Sequence, residues 1–263
     1  MTEPLAPPPA PRLSALVVAH NEEARLEACL SRLAFADELV VVLDRCSDGS
    51  KAIAQRFAHR VVEGAWEIEG DRRNTGIDAC AGDWVLEIDA DEHVPPELAA
   101  EIRDAIAAAA QSGKSGWFLL PFDNYIGQRR VRYGWGGSFG TAAVGRLWSR
   151  GVKRWGRQRV HPSVTLPGKP IARLKTPVEH YVDRNISDML KRLDRYSTAR
   201  ARDLRASGRP GSMAGNLRRF VTRFAKCYFS RGGWREGGWG VLVALCAGLF
   251  PLLSYLKATL EEE

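Results

Sequence analysis

The sequence predicts an α/β protein: a mostly parallel sheet flanked by helices, with a C-terminal helical appendage. Three observations predict it. Apolar, β-branched runs alternate with helix-period segments through the first hundred residues, and the connections between them are short. The most polar clusters follow directly after the apolar runs. From residue 186 onward the apolar spacing becomes helical throughout.

Leu13–Ala19 (LSALVVA) is a short run suited to a strand buried on both faces, and Asn21 is placed to cap a helix carrying Leu26, Cys29, Leu30 and Leu33 on one side. The pattern repeats with ELVVVLD (Glu38 to Asp44), the loop RCSDGS, and a helix bearing Ile53, Ala54 and Phe57. A short strand is expected around Arg60 to Val62, a helix near Arg72 to Cys80, and a strand over DWVLEID (Asp83 to Asp89). A helix from Pro95 to Ala110 has proline at its start, where the missing N–H costs nothing. WFLLPF (Trp117 to Phe122) reads as another strand, and further strand candidates are Ala142 to Trp148 and Pro170 to Leu174. Ile186, Met189, Leu190, Leu193 and Tyr196 keep helical spacing with Arg and Lys on the other face. The last apolar stretch, Trp239 to Leu256, contains Pro251 and just reaches the lower length limit for crossing a bilayer. The expected organisation is a leader over 1–12, an α/β domain over 13–185 divided into halves 13–98 and 99–185, and helices over 186–263.

The 263 residues, 45% hydrophobic, suffice for one α/β domain with an appendage. The net charge of +7 is unevenly spread, because residues 117 to 235 hold 26 of the 38 Lys and Arg and six acids. An anionic partner is implied, although charge alone attracts nucleic acid, acidic phospholipid and phosphorylated substrates alike. The five cysteines are odd in number and form no CxxC pair, which fits reduced thiols in a cytosolic setting. The proline-rich, acidic N-terminus lacks the pattern of a secretion signal.

Three motifs carry candidate chemistry. Asp89-Ala90-Asp91, followed by Glu92, stands at a strand exit, where two carboxylates two residues apart can supply hard oxygen ligands to Mg²⁺ or Mn²⁺ beside a diphosphate; a solvated acidic loop capping the next helix is the plainer alternative. Asp44 ends the second strand and could accept a hydrogen bond from a base or ribose, with Asp48 or Ser47 capping the helix beyond. Arg72-Arg73-Asn74 places a guanidinium where it could reach phosphate oxygens, or simply forms an exposed basic face.

VVAHNEE, LDRCSDGS, RRN and GDWVLEIDADE, in this order and spacing, resemble the N-terminal half of family 2 glycosyltransferases of the GT-A, Rossmann-like fold. In detail they resemble the bacterial branch acting on lipopolysaccharide inner core. The resemblance is strong over 13–98 and continues more loosely through NYIG, GWGG, RLW, RVH and EHY. It implies nucleotide-sugar contacts at Ala19, Asn21, Glu22, Asp44, Arg73, Asn74, Asp89 and Ala90, with metal ligands at Asp91 and His180. The paired aspartates usual at the second strand are Leu43-Asp44 here, so one carboxylate is missing. The acidic residue expected on the acceptor side is also missing: the chain reads Val160-His161-Pro162. His161 is therefore the first candidate for the base that deprotonates the acceptor hydroxyl, with Asp123 the second.

The implied activity is inverting, metal-dependent transfer from a nucleotide-sugar, UDP-linked, to a lipid-linked or lipopolysaccharide-core acceptor. The basic, aromatic tail adds an anionic membrane surface as partner and a peripheral location on the cytoplasmic membrane; no nucleic acid is expected. A nucleotidyltransferase is disfavoured because AHNEEARL stands where a glycine-rich phosphate loop would. A non-catalytic lipid- or RNA-binding protein on a transferase scaffold is the remaining rival.

Overall fold

The first apolar run becomes the middle of a sheet because both of its faces are covered. In the computed structural model, which describes residues 10–136, 143–157 and 163–261, β1 (Leu13–Ala19) is buried at every position. Most of the expected leader, residues 1–9, lies outside the described residues. Then come α1 (Glu23–Ser31), β2 (Glu38–Asp44), α2 (Ser50–Phe57), β3 (Arg60–Gly64), α3 (Glu69–Ala79) and β4 (Trp84–Asp89). β1 pairs in parallel with β2, Leu16 opposite Val40, and with β4, Leu16 opposite Glu87; β2 pairs in parallel with β3.

After β4 the chain forms β5 (Glu92–His93), α4 (Pro96–Gln111), β6 (Trp117–Ile126), β7 (Arg129–Arg130), β8 (Ala143–Ser149), β9 (Arg154–Trp155), β10 (Val164–Thr165), β11 (Ala172–Arg173) and β12 (Val178–Asp183). β8 pairs antiparallel with β4, Val85 opposite Trp148, and the strand order runs β3-β2-β1-β4-β8-β6. The sheet is parallel across β3, β2, β1 and β4, as expected, and β8 joins that parallel part antiparallel.

The chain divides into two compact units: Met1–Pro121 with Val144–Val178, and Phe122–Ala143 with Glu179–Glu263. The cut passes through β6 and β12, whereas the sequence placed its division at residue 185. The first unit's core joins Leu16, Val18, Val40, Val42, Ile77, Val85 and Trp148. Helix α3 lies close on this sheet because Gly76 has no side chain: a Cβ there would sit 2.6 Å from Leu16 Cδ1 and 2.9 Å from Val42 Cγ2.

In the second unit, α5 (Ile186–Ala206) starts with Asn185 Oδ1 accepting the Asp188 N–H, and α6 (Met213–Ala225) with Ser212 Oγ accepting that of Gly215. A π turn (Lys226–Ser230) and a 3₁₀ turn (Gly233–Glu236) lead into α7 (Gly238–Leu260). The late apolar stretch is therefore a 23-residue helix running through Pro251, long and apolar enough to cross a membrane, with half of its most apolar window buried in the protein. Val243, Cys246 and Phe250 of α7 pack with Met189 and Leu193 of α5 and with Ile126 and Val131.

Candidate active site

Because β1, β2 and β4 are parallel, their carboxyl ends, Ala19, Asp44 and Asp89, reach one edge of the sheet. The loops after β1 and β2 are bonded to each other there. Asn21 takes the left-handed conformation (φ 55°), which asparagine tolerates better than most residues. It does not cap α1, as its position suggested; Glu22 holds that place, and Asn21 Oδ1 accepts the Ser47 N–H at 2.8 Å. The Glu22 N–H donates to Ser50 Oγ, the Glu23 N–H to Asp48 Oδ2, and the Gly49 N–H to Glu23 Oε2. Each helix start thus draws an acceptor from the other loop, which satisfies N–H groups that a helix leaves unpaired. Asp48 also accepts the Ser50 N–H, but Gly49 holds the cap position of α2, so neither Asp48 nor Ser47 is its N-cap.

Asp44 is buried, and its carboxylate accepts two bonds from Arg45, one from the Trp66 N–H and one from Arg72. Burial alone would raise its pKa, but these donors outweigh burial and hold the carboxyl below its ordinary value.

The two aspartates of the DxD motif have different partners. Asp89 accepts from Arg73 at 3.1 Å and from Arg146 of β8. Asp91 lies 3.5 Å from Arg25 of α1, an ion-pair contact, and its side chain is about a quarter exposed (26%). Ala90 between them is buried. Glu92 is buried too, accepting the Asp89 N–H with one oxygen and Arg146 with the other.

Beneath the motif lies a buried network of charges. Glu87, fully buried in β4, accepts from Arg73 and from Lys153. Lys153 Nζ sits 4.2 Å from the Trp148 ring centroid and 4.8 Å from that of Trp155, over which Arg73 also lies. Burial pushes Glu87 up, yet Lys153, Arg73 and Arg146 bring it down to about 2. For Asp89 burial acts upward as well, and Arg146 and Arg73 hold it well below the carboxylate range. Glu87, Asp89 and Glu92 against Arg73, Arg146 and Lys153 are three charges of each sign, which is what makes such burial tolerable.

The other expected contact residues also have partners within the protein. Arg73 pairs with Glu69, Glu87 and Asp89. Asn74 bonds the backbone of Trp155 with both ends of its amide and so anchors β9. Asp123, in the second unit, is 2.7 Å from Arg130. His180, also in the second unit, has Nδ1 3.0 Å from Asn124 Oδ1 and its ring edge-on to Phe122. His161 lies outside the described residues. Sequence reasoning missed Glu87, Arg146 and Lys153, though a lone acid inside the apolar run WVLEID was a visible signal for the first.

A parallel sheet whose strands deliver bonded loops and carboxylates to one edge defines an α/β protein of the kind that binds ligands beyond the carboxyl ends of its strands. Comparison narrows the class: residues 14–137, just under half of the chain, match the family Glycosyl transferase family 2, and the chain is a glycosyltransferase. It is similar to the lipopolysaccharide core biosynthesis glycosyltransferase LpsC of Rhizobium meliloti, 24% identical over 93% of this chain and 91% of that protein. An uncharacterized glycosyltransferase of Rickettsia typhi is 25% identical over 84% of this chain and 77% of its own length. Among solved structures, S. aureus TarS in complex with UDP-GlcNAc matches at TM-score 0.39 and 24% identity, covering 45% of this chain and 36% of that one.

Proposed function

We propose that this glycosyltransferase moves a sugar from a nucleotide-sugar, UDP-linked, to a hydroxyl of a lipid-linked or lipopolysaccharide-core acceptor, with inversion, at the cytoplasmic face of the membrane. The observation that carries the reading is the sheet edge where Asp44 and Asp89–Asp91 stand at the ends of β2 and β4, the parallel strands on either side of β1, beside the bonded loop that follows Ala19 and holds Asn21. Asp44, held charged by Arg45 and Arg72, would accept a hydrogen bond from the base or ribose in exchange for one of its four protein donors. Arg45, whose side chain is half exposed, offers further donors to the nucleotide. Asp89, fixed by two guanidiniums, serves the ribose and diphosphate end.

The donor set at the motif fits a hard divalent cation: Asp91 is a partly exposed carboxylate in the turn after β4, within ion-pair distance of Arg25. Asp91 would hold Mg²⁺ or Mn²⁺, with His180 proposed as a further ligand on the resemblance alone. When bound, the metal neutralises charge developing on the departing nucleotide diphosphate. The protein's own part is to orient the donor through Asp44 and Asp89 and to take the proton from the acceptor hydroxyl, a role we assign to His161 with Asp123 as second candidate.

Calorimetry with UDP and GDP, with and without Mn²⁺, on wild type and Asp91→Asn tests this. The expected result is Mn²⁺-dependent UDP binding that weakens about ten-fold or more in the variant, as for loss of a charged ligand. Equal binding in both proteins would remove Asp91 from the site, and salt-sensitive RNA binding with no nucleotide binding would replace the transferase reading with a non-catalytic one.

A further inference from the structure

From Arg209 to Arg235 the chain carries seven Lys or Arg and no acid. Within this stretch α6 has two unlike faces. Its inner face is tied to α7: Phe220 passes so close to Gly248 that a Cβ there would lie 2.9 Å from the Phe220 carbonyl, and Phe224 and Tyr228 pack on Cys227, Ala244 and Ala247. Its outer face exposes Met213, Leu217 and Val221 at intervals of four, and Phe229 and Trp234 follow on the π and 3₁₀ turns. Exposed Arg218 and Lys226 flank this row. Leu217, Val221 and Phe229 are 47%, 60% and 63% exposed, far beyond what large apolar side chains show in a core.

We infer that the outer face of α6, with the turns after it, docks on an acidic phospholipid bilayer, the helix lying in the plane of the membrane while α7 stays in the protein core. The apolar row matches the acyl boundary and the uncompensated cations match anionic headgroups. Burial and the like charge of Arg219 both lower the pKa of Arg223, which marks a cluster in want of counter-charge. Helix α7, the segment whose composition suggests a span, is instead held at its end by the protein. Arg205 donates to the carbonyl of Ala258, and Lys257 reaches Asp194 and Thr198 of α5. The inference deepens the membrane-face reading above and rests on it for location only, not on the donor chemistry.

Vesicle flotation with the full chain tests it, using phosphatidylcholine alone and phosphatidylcholine with an equal part of phosphatidylglycerol. Wild type should float with the acidic vesicles only, less so as salt rises. Leu217→Ser/Val221→Ser/Phe229→Ser and Arg218→Gln/Lys226→Gln should each lower partitioning about ten-fold or more, with UDP calorimetry and melting temperature unchanged to show that the fold and donor site persist. Flotation of the triple variant at wild-type level would overturn the surface. Membrane association resistant to alkaline carbonate would overturn it in favour of a span by α7, and binding to poly(U) without flotation would do so in favour of nucleic acid. Wild type that floats with the acidic vesicles but binds no UDP would count against the donor reading alone.

Discussion

Glu87 and Lys153 are buried charges whose value lies in each other. Removing the lysine leaves a carboxylate with less compensation where water cannot reach it, so Lys153→Met should cost about 3–5 kcal/mol in denaturant unfolding. Glu87→Gln/Lys153→Met should recover part of that loss, because the double change removes both charges. The same residue gives a pH prediction. Glu87 is brought from 4.5 to about 2 in the folded protein, so its contribution is fully present above its unfolded pKa and is lost as pH falls through the folded one. Stability should decline between about pH 4.5 and 2, by about 3 kcal/mol for this group. In the Lys153→Met variant the decline should shrink and end at a higher pH, because only the folded pKa rises; an unchanged acid limb would remove Lys153 as the principal partner. At this scale the sequence was legible where a residue's chemistry and its strand-end position coincide, as at Asp44, Asp89 and Asp91. It was illegible where a side chain turns inward: Arg73 and Asn74 look like ligand contacts in a string of letters, and only the positions of β4, β8 and β9 show that Glu87, Asp89 and Trp155 engage them.

Elements pack here through the absence of side chains as well as their presence. Gly76 in α3 should be improved by alanine on helix propensity alone, by about 1 kcal/mol. The contacts argue the opposite sign, since a Cβ would press on Leu16 and Val42 of the two central strands. Gly76→Ala should therefore destabilise by about 1–3 kcal/mol, because overpacking a dense core outweighs the propensity gain. A melting temperature at or above wild type would show that α3 can shift outward. The repeating strand and helix pattern made α3 and its neighbours readable, since hydrophobic period reports which face of an element is covered. It could not report how close the elements lie, nor that β8 would return antiparallel beside β4.

For the whole molecule, a ligand that binds only the native state must raise stability by mass action. UDP with Mn²⁺ at about a hundred times its dissociation constant should stabilise the chain by about 2.7 kcal/mol, visible as a rise in the melting temperature of the transition that includes the first unit. Asp44→Ala should lose most of that rise at the same ligand concentration. An equal rise in the variant would move the nucleotide away from β2. The uneven charge is also a property of this scale: an acid-free basic run falls on α6 and the turns after it, which is why salt and lipid composition, rather than nucleotide, should govern the behaviour of that surface.

The sequence by itself determined the alternation of strands and helices through residue 89, the strand-end positions of Asp44, Asp89 and Asp91, and the basic, apolar character of the C-terminal helices. Those follow from local periodicity and from residue chemistry, which need no knowledge of distant partners. Tertiary structure alone decided that the sheet is mixed, that residues 122–143 group with the C-terminal helices, that α7 is half buried, and that Glu87, Arg73, Arg146 and Lys153 form one charge network. Each of these depends on contacts between residues tens of positions apart, and burial can reverse the meaning of a charged or apolar letter without changing anything in its neighbourhood along the chain.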